Sequence, residues 1–501
     1  MKSTSKIWLI VIFLLIFGTR IFLAMQIPSL DYEAYSVVRQ VENIKHTGLP
    51  LFEDDISYSG RTHIFSPVYH YFLAIFSFIM PLELVAKIIP NLLAALTLVV
   101  VFFIVKSLTE DETIALLTAG ISGIIPIFFN NTINNASVYS AVVPLFFLTI
   151  YYFINTLKDE TNVIKLLITM ILITVIHPAS FILVLSLLLY ILLVKIQGFR
   201  ESRRATELVL FFLFFVFWVN MIIYKNAFLF HKESIIWQNM PTLLLSQSFA
   251  EVTFLESILS IGAIPLIFGL ISIYLTLFTT KRKTLTLLLS VCAAIFLLIW
   301  LQYLDLFTGL TFLGVALCIM SAEAFKRLYD SSKILKLKHA SKYFLIIISV
   351  LALVAFIPNI NYFLTNTDVR PSQEDIQAFV WLGQNIPKNS TVLAYPNEGG
   401  VMSFFSQRKN VIDEDFLLIP NINTRYKDTT DIYKQRFLTS ALETLNYYGV
   451  DYIILTTQIQ NRLNLTDLMF VDQTCFTKLY PKNNQTQEPI IYKVNCVLNS
   501  V

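Results

Sequence analysis

Long apolar runs separated by short polar stretches fill the first 358 residues of the chain. Such runs lie near 7–27, 84–106, 113–129, 138–156, 163–177, 179–197, 207–224, 256–279, 284–301, 304–325 and 343–358. Each reaches or approaches the roughly 20 residues needed to cross a hydrocarbon core, which predicts about eleven transmembrane helices. A further apolar run, His63 to Pro81, would invert every later loop if it crossed, so it is read as an interfacial or re-entrant helix. After Pro358 the pattern changes. Short β-rich runs ("STVLAYP", "VDYIILTT", "PIIYKVNCVL") alternate with helical patterns such as "SQEDIQAFVWLGQNI". They predict an α/β domain over 359–501, about 140 residues and large enough to bury its own core.

Composition agrees with a membrane protein: 56% of the 501 residues are hydrophobic and 14% charged, far from soluble-domain norms. The net charge of +3 gives no sign of a nucleic-acid partner. The positions of the basic residues say more. Lys2, Lys6, Arg200, Arg203, Arg204, Lys281, Arg282, Lys283 and the basic segment from Lys326 to Lys342 fall on one side of the predicted topology. Basic loops stay cytoplasmic. The N-terminus is therefore expected in the cytoplasm of a multi-pass protein of the cell membrane, with residues 28–83 and 359–501 outside. Residues 1–27 look like a signal peptide, but Arg20 and the long apolar region favour a retained anchor. Cys475 and Cys496 are either a disulfide of the external domain or two free thiols. Cys292 and Cys318 fall in spans as packing residues.

Candidate chemistry gathers where the first span ends. In "IPSLDYEAYSVVRQ", Asp31 and Glu33 begin a helix whose Ala34, Val38, Val41 and Ile44 form a stripe suited to lying on lipid. Asp31 suits an N-cap. The two acids share a site only if the backbone there is still extended, since residues two apart diverge on a helix. The same loop carries Glu53, Asp54, Asp55, Arg61 and His63, and Lys87 follows at the start of the next span. Arg61, His63 and Lys87 are candidates for holding the phosphate of an amphiphilic substrate. His177, in "VIHPASF", is either a fourth or simply a histidine at a helix break. The loop between residues 224 and 249 is a candidate flap over the site. Sequons begin at Asn130, Asn135, Asn389, Asn464 and Asn484.

One span, an acidic motif "DYE", the segment "HIFSPVYHY" and then "AKIIPNLLAALTLVVVFFIV" together resemble the GT-C superfamily of membrane glycosyltransferases. That superfamily includes protein O-mannosyltransferases, lipid A aminoarabinose transferases and the catalytic subunit of oligosaccharyltransferase. The resemblance implies a GT-C-like fold with catalytic domain 1–358 and external domain 359–501. It implies an inverting transfer from a polyprenyl (dolichyl) phosphate-linked sugar donor to a lipid-linked glycan or protein acceptor, with Asp31 and Glu33 catalytic.

Further along, "VLAYPNEGGVMSFFSQRKNVIDEDF" resembles the oligosaccharyltransferase stretch that reads an acceptor sequon. Gly399, Arg408 and Asp413 fit its frame, and Asn397 and Glu398 are the implied acceptor-binding residues. Tyr395, Pro396, Asn397 and Glu398 replace the reading motif itself, which favours a lipid-linked glycan as acceptor. Asn130, Asn131, Asn134 and Asn135 stand where many relatives place an acidic metal ligand. Amides are poor substitutes for a carboxylate on Mg²⁺ or Mn²⁺, so no tightly bound cofactor is expected and either ion would be held loosely. The rival classes are a transporter or flippase of lipid-linked glycans and a non-catalytic assembly subunit. Transport is disfavoured by the lack of an internal repeat and the scarcity of mid-span charges such as Glu323.

Overall fold

The computed structural model describes residues 3–199, 203–250, 253–280, 282–334, 339–481 and 488–497. Lys2, Arg200, Lys281 and Asn484 lie outside them. Helix α1 (Ser3–Gln26) leads into α2 (Tyr32–Thr47), α3 (Val68–Ser77) and α4 (Leu82–Thr109). Then come α5 (Glu112–Ser122), α6 (Pro126–Ile133), α7 (Tyr139–Thr156), α8 (Val163–Ile176), α9 (Ser180–Ile196) and α10 (Arg203–His231). The bundle closes with α11 (Thr242–Ala250), α12 (Phe254–Ile261), α13 (Ala263–Phe278), α14 (Lys283–Trp300), α15 (Leu306–Ile334) and α16 (Ala340–Thr365).

Every predicted crossing is helical, but not every one is a single straight helix. Among the described residues, seven helices are long and apolar enough to cross a membrane, or up to nine if each of two bent pairs is one span. Residues 113–129 break into α5 and α6, bent by 53°, because Pro126 starts a new helix. Residues 256–279 break into α12 and α13, bent by 91°, at Gly262, whose φ of +94° suits glycine alone. Helices α8 and α9 are apolar but only 14 and 17 residues long. Helix α16 contains Pro358 and runs past it to Thr365.

The run from His63 to Pro81 is helical only over the ten residues of α3, too short to span. Pro67 at its N-cap keeps the preceding residues out of the helix. Helix α2 forms as expected and stops at Gly48, which takes φ +78° and donates its N–H to the Ile44 carbonyl. Its apolar stripe, however, does not lie on lipid. Val41 and Ile44 are buried with Tyr69, Leu73, Val85 and Ile89 of α3 and α4, and Tyr35 packs on Phe404 and Phe405. Neighbouring helices supply the apolar cover.

The C-terminal region adds α17 (Gln373–Asn385), α18 (Gly399–Ser406), α19 (Ile422–Asp431), α20 (Leu438–Tyr447) and α21 (Thr457–Leu463). Its strands are β3 (Thr391–Leu393), β4 (Lys409–Asn410), β5 (Tyr452–Leu455), β6 (Phe476–Tyr480) and β7 (Ile490–Val494), following β1 (Glu53–Asp54) and β2 (Arg61–Thr62) of the first long loop. The five-stranded sheet runs β4-β3-β5-β7-β6, with β3 parallel to both neighbours and β7 antiparallel to both of its own. Cys475 and Cys496 are disulfide-bonded, while Cys292 and Cys318 are buried free thiols.

The first long loop is fastened to this region. The Asn410 N–H donates to the Ile56 carbonyl at 2.9 Å, and the Tyr58 N–H to Asn410 Oδ1 at 2.7 Å. Ser57 Oγ donates to Asp413 Oδ2 at 2.6 Å. Within the C-terminal region itself, α18 packs against the segment after β4 at Gly399, where a Cβ would lie 1.8 Å from the Ile412 carbonyl oxygen.

Candidate active site

Asp31 occupies the N-cap of α2 with extended backbone (φ −69°, ψ 156°), yet its side chain makes no capping hydrogen bond. It turns instead to the segment after α6. Asn134 Nδ2 donates to Asp31 Oδ1 at 3.1 Å and to the Ser29 carbonyl at 2.8 Å, and the Asp31 N–H donates to the Asn134 carbonyl. The next asparagine does the same for the second acid: Asn135 Nδ2 donates to Glu33 Oε2 at 2.8 Å. Because Asp31 is still extended, the two carboxylates meet one pair of consecutive amides rather than diverging. Asn130 and Asn131 donate to Asn359 and Thr311 of α16 and α15. The run read as a lost metal ligand is therefore a set of amide donors joining four parts of the fold.

Burial pushes the Asp31 carboxyl up to about 6, opposed by the Arg370 charge and the Asn134 bond and reinforced by Glu33. Arg370, on the segment after α16, gives its guanidinium to the Phe363 and Asn366 carbonyls. Sequence reasoning missed it, and nothing in "NTDVRP" marks it out. Glu414 was also missed, although the run "DED" (Asp413 to Asp415) was in plain view. The protein around its carboxyl, and after that the charges of Glu33 and Asp413, raise it well above the usual range.

The three predicted phosphate cations are all already engaged. Arg61 Nη2 lies 3.1 Å from Asp415 and 2.8 Å from the Leu417 carbonyl, and Nη1 is 3.5 Å from Asp413. His63 lies between Asp415 (Nδ1, 2.9 Å) and Asp54 (Nε2, 3.3 Å). Asp54 in turn is held by both Nη atoms of Arg39 at 2.7 and 2.6 Å. Burial alone would lower the His63 pKa, but its two carboxylate bonds outweigh it and the value is raised. The Arg61 charge and the His63 bond hold Asp415 well below the ordinary carboxylate range. Lys87, buried at the start of α4, donates to the Ile27 carbonyl and to that of Pro28 at 3.3 Å.

His177 caps α8, its Nδ1 accepting the Ala179 N–H at 3.0 Å. Its ring stands edge-on at 5.1 Å to Tyr139, at the start of α7 and four residues after the Asn135 that binds Glu33. The structure thus brings Asp31, Glu33, Glu414 and the Tyr139–His177 pair to one region, with Arg61 and His63 joined to it through Asp413 to Asp415. Of the predicted acceptor residues, Asn397 is half-buried, its Oδ1 without a partner among the described residues. Glu398 is fully buried: Oε1 accepts from Thr456 at 2.6 Å, and burial plus the Asp375 charge raise its pKa well above normal. Arg408 is spent on the carbonyls of Gly383, Ile386 and Ser406. The candidate flap is tied down, with Asn239 donating to the Phe416 and Ile419 carbonyls at 2.7 and 2.9 Å.

No family model matches the sequence, and no curated protein does. Solved structures do. The archaeal oligosaccharyltransferase AglB from Archaeoglobus fulgidus, in complex with an inhibitory peptide and a dolichol-phosphate, superposes with a TM-score of 0.71 at 13% identity over 92% of this chain and 70% of its own. The same oligosaccharyltransferase in complex with Zn and sulfate gives 0.68 at 14% identity over 89% and 68%. ArnT from Cupriavidus metallidurans, bound to undecaprenyl phosphate, gives 0.59 at 9% identity over 98% of both chains. The chain has the fold of the GT-C membrane glycosyltransferases.

The Zn complex raises the question of a metal here. Among the described residues no three His, Cys, Asp or Glu side chains gather as a metal site. Asp31 and Glu33 are two carboxylates whose neighbours Asn134 and Asn135 are neutral amides, a donor set short of the charge that holds a divalent ion tightly.

Proposed function

We propose that the protein is a membrane glycosyltransferase that moves a sugar from a polyprenyl-phosphate-linked donor to a lipid-linked glycan or protein acceptor, with inversion. The observation that carries this is Asp31: a carboxylate at a helix N-cap that leaves the cap unused, sits beside a second acid, and occurs in a fold shared with proteins solved around polyprenyl phosphates. Asp31 takes the proton of the acceptor hydroxyl as it attacks the sugar, and Glu33 is its neighbour and second candidate. Departure of the donor phosphate needs positive charge. Arg61 and His63 can supply it only by sharing their carboxylate partners, whereas Arg370 brings a guanidinium that, among the described residues, is bonded only to backbone carbonyls. His177 completes the phosphate side, while Lys87 is spent on the Ile27 and Pro28 carbonyls and holds the turn that leads to Asp31. Asn397 faces the acceptor, with Glu398 behind it in the domain interior. The missing sequon-reading motif favours a lipid-linked glycan. The N-terminus is cytoplasmic and residues 359–501 are outside, supported by the basic loops and by the Cys475–Cys496 disulfide. The test is incubation of the purified protein with dolichyl-phosphate mannose or glucose and membrane lipid extract. Release of free dolichyl phosphate with labelled glycan supports the proposal; donors that stay intact with every acceptor refute it.

A further inference from the structure

Among the buried polar side chains of the α4 helix, Lys87 and Asn91 lie one turn apart near its start. Both reach across to backbone carbonyls rather than to other side chains alone. Lys87 donates to Ile27 and Pro28, the residues that lead into the Asp31 turn. Asn91 Nδ2 donates to the Ile133 carbonyl at 2.6 Å, directly before Asn134, and to the Lys87 carbonyl at 2.7 Å. Its Oδ1 is not idle, accepting from Arg20 Nε at 2.8 Å. Arg20 is 1% exposed, also donates to Thr132 Oγ1, and lies over the Phe129 ring at 4.8 Å. A buried guanidinium satisfied, among the described residues, by an amide, a hydroxyl and aromatic rings is costly in a bundle, and such groups tend to serve the site. Here it fixes which way the Asn91 amide faces.

We propose that Lys87 and Asn91 are positioning residues. One face of α4 holds the Asp31 turn and the Asn134–Asn135 turn at a set separation, and Arg20 keeps Asn91 oriented to do so. The catalytic consequence rests on Asp31 being the base, but the geometry does not, so the two are tested separately.

The geometric test reads Asp31 directly. Dicyclohexylcarbodiimide modifies protonated carboxyls, so the pH dependence of Asp31 modification, followed by peptide mass spectrometry on the full-length protein, reports its titration. Arg370, Glu33, Lys87 and the Asn134 amide are the groups acting on it. Asn134→Ala removes a bond that favours the carboxylate, so its midpoint should rise above the wild-type value near 6. Asn91→Leu should raise it too, and the double variant should move no further than Asn134→Ala alone. A wild-type midpoint in Asn91→Leu, or additive shifts in the double variant, overturns the proposal. Leaving Arg20 unpaired threatens folding, so Arg20→Met with Asn91→Leu removes that pair together, a change that is often near neutral for stability, and Thr132 Oγ1 keeps its bond to the Phe128 carbonyl. The same midpoint shift is expected there. In the transfer assay a displacement of about 1 Å should cost about 10²-fold. If Asp31→Asn transfers sugar normally while the titration shifts appear, the catalytic reading fails and the positioning stands.

Discussion

At the residue scale, Asp31 is set apart by what it does not do. An aspartate at an N-cap ordinarily accepts from the first-turn N–H groups, and this one accepts from Asn134 instead. A base must be deprotonated to work, so with its carboxyl raised to about 6, transfer should fall as pH drops through 6 and level off above it. Asn134→Ala should move that acid limb to higher pH, measured as kcat/KM against pH. A limb left in place would show that the amide does not tune the base. The same amides argue against a tight metal, so activity should survive EDTA; loss restored by Mn²⁺ or Mg²⁺ would make Asp31 and Glu33 ligands. The spacing of "DYE" made the pair visible in the sequence, along with the condition that Asp31 be extended. The partners were not visible, because an Asn pair a hundred residues away reads as a polar loop until the fold closes it on the acids. Arg370 and Glu414 have the same difficulty.

At the element scale, the loop carrying β1 and β2 is held by charge as well as by the burial of Tyr58 against Ile412 and Phe416. Arg39, Asp54, His63, Asp415, Arg61 and Asp413 form one chain of alternating sign. His63 bonds two carboxylates and must be doubly protonated to donate to both. Its pKa is raised in the fold, so its contribution is complete below the unfolded value near 6.5 and is lost as pH rises through the folded one. Limited proteolysis of residues 52–63 should therefore accelerate with pH above that point, and His63→Gln should be cleaved readily at every pH. Pattern alone located the loop and its charged residues, and suggested phosphate as their partner. Asp413 and Asp415 also bind them in the fold, through contacts some 350 positions apart in the chain that no periodicity encodes. The stripe on α2 went the same way: its period was legible, but that α3 and α4 rather than lipid would cover it was not.

At the scale of the whole molecule, hydropathy was a good guide because the bilayer leaves the backbone few options. It could not foresee the bends at Gly262 and ahead of Pro126, since a broken span is as apolar as a straight one. Topology remains a direct test of the arrangement. Cysteine introduced at Ser331, exposed near the end of α15, should label from the cytoplasmic side, and at Asn461, exposed on α21, from outside. Labelling of both from one side would place the acids and the C-terminal region on different faces from those proposed.

The central claim is that Asp31 is the base, and the most direct measurement is sugar transfer by Asp31→Asn beside Glu33→Gln. Asparagine keeps the size and the extended cap position but cannot take a proton. General-base catalysis is typically worth about 10²–10⁴-fold, so purified, folded Asp31→Asn should lose that factor in kcat while still binding donor. Glu33→Gln, whose side chain is exposed and held by Asn135, should lose less. Wild-type transfer by Asp31→Asn, or a larger loss in Glu33→Gln, would contradict the account.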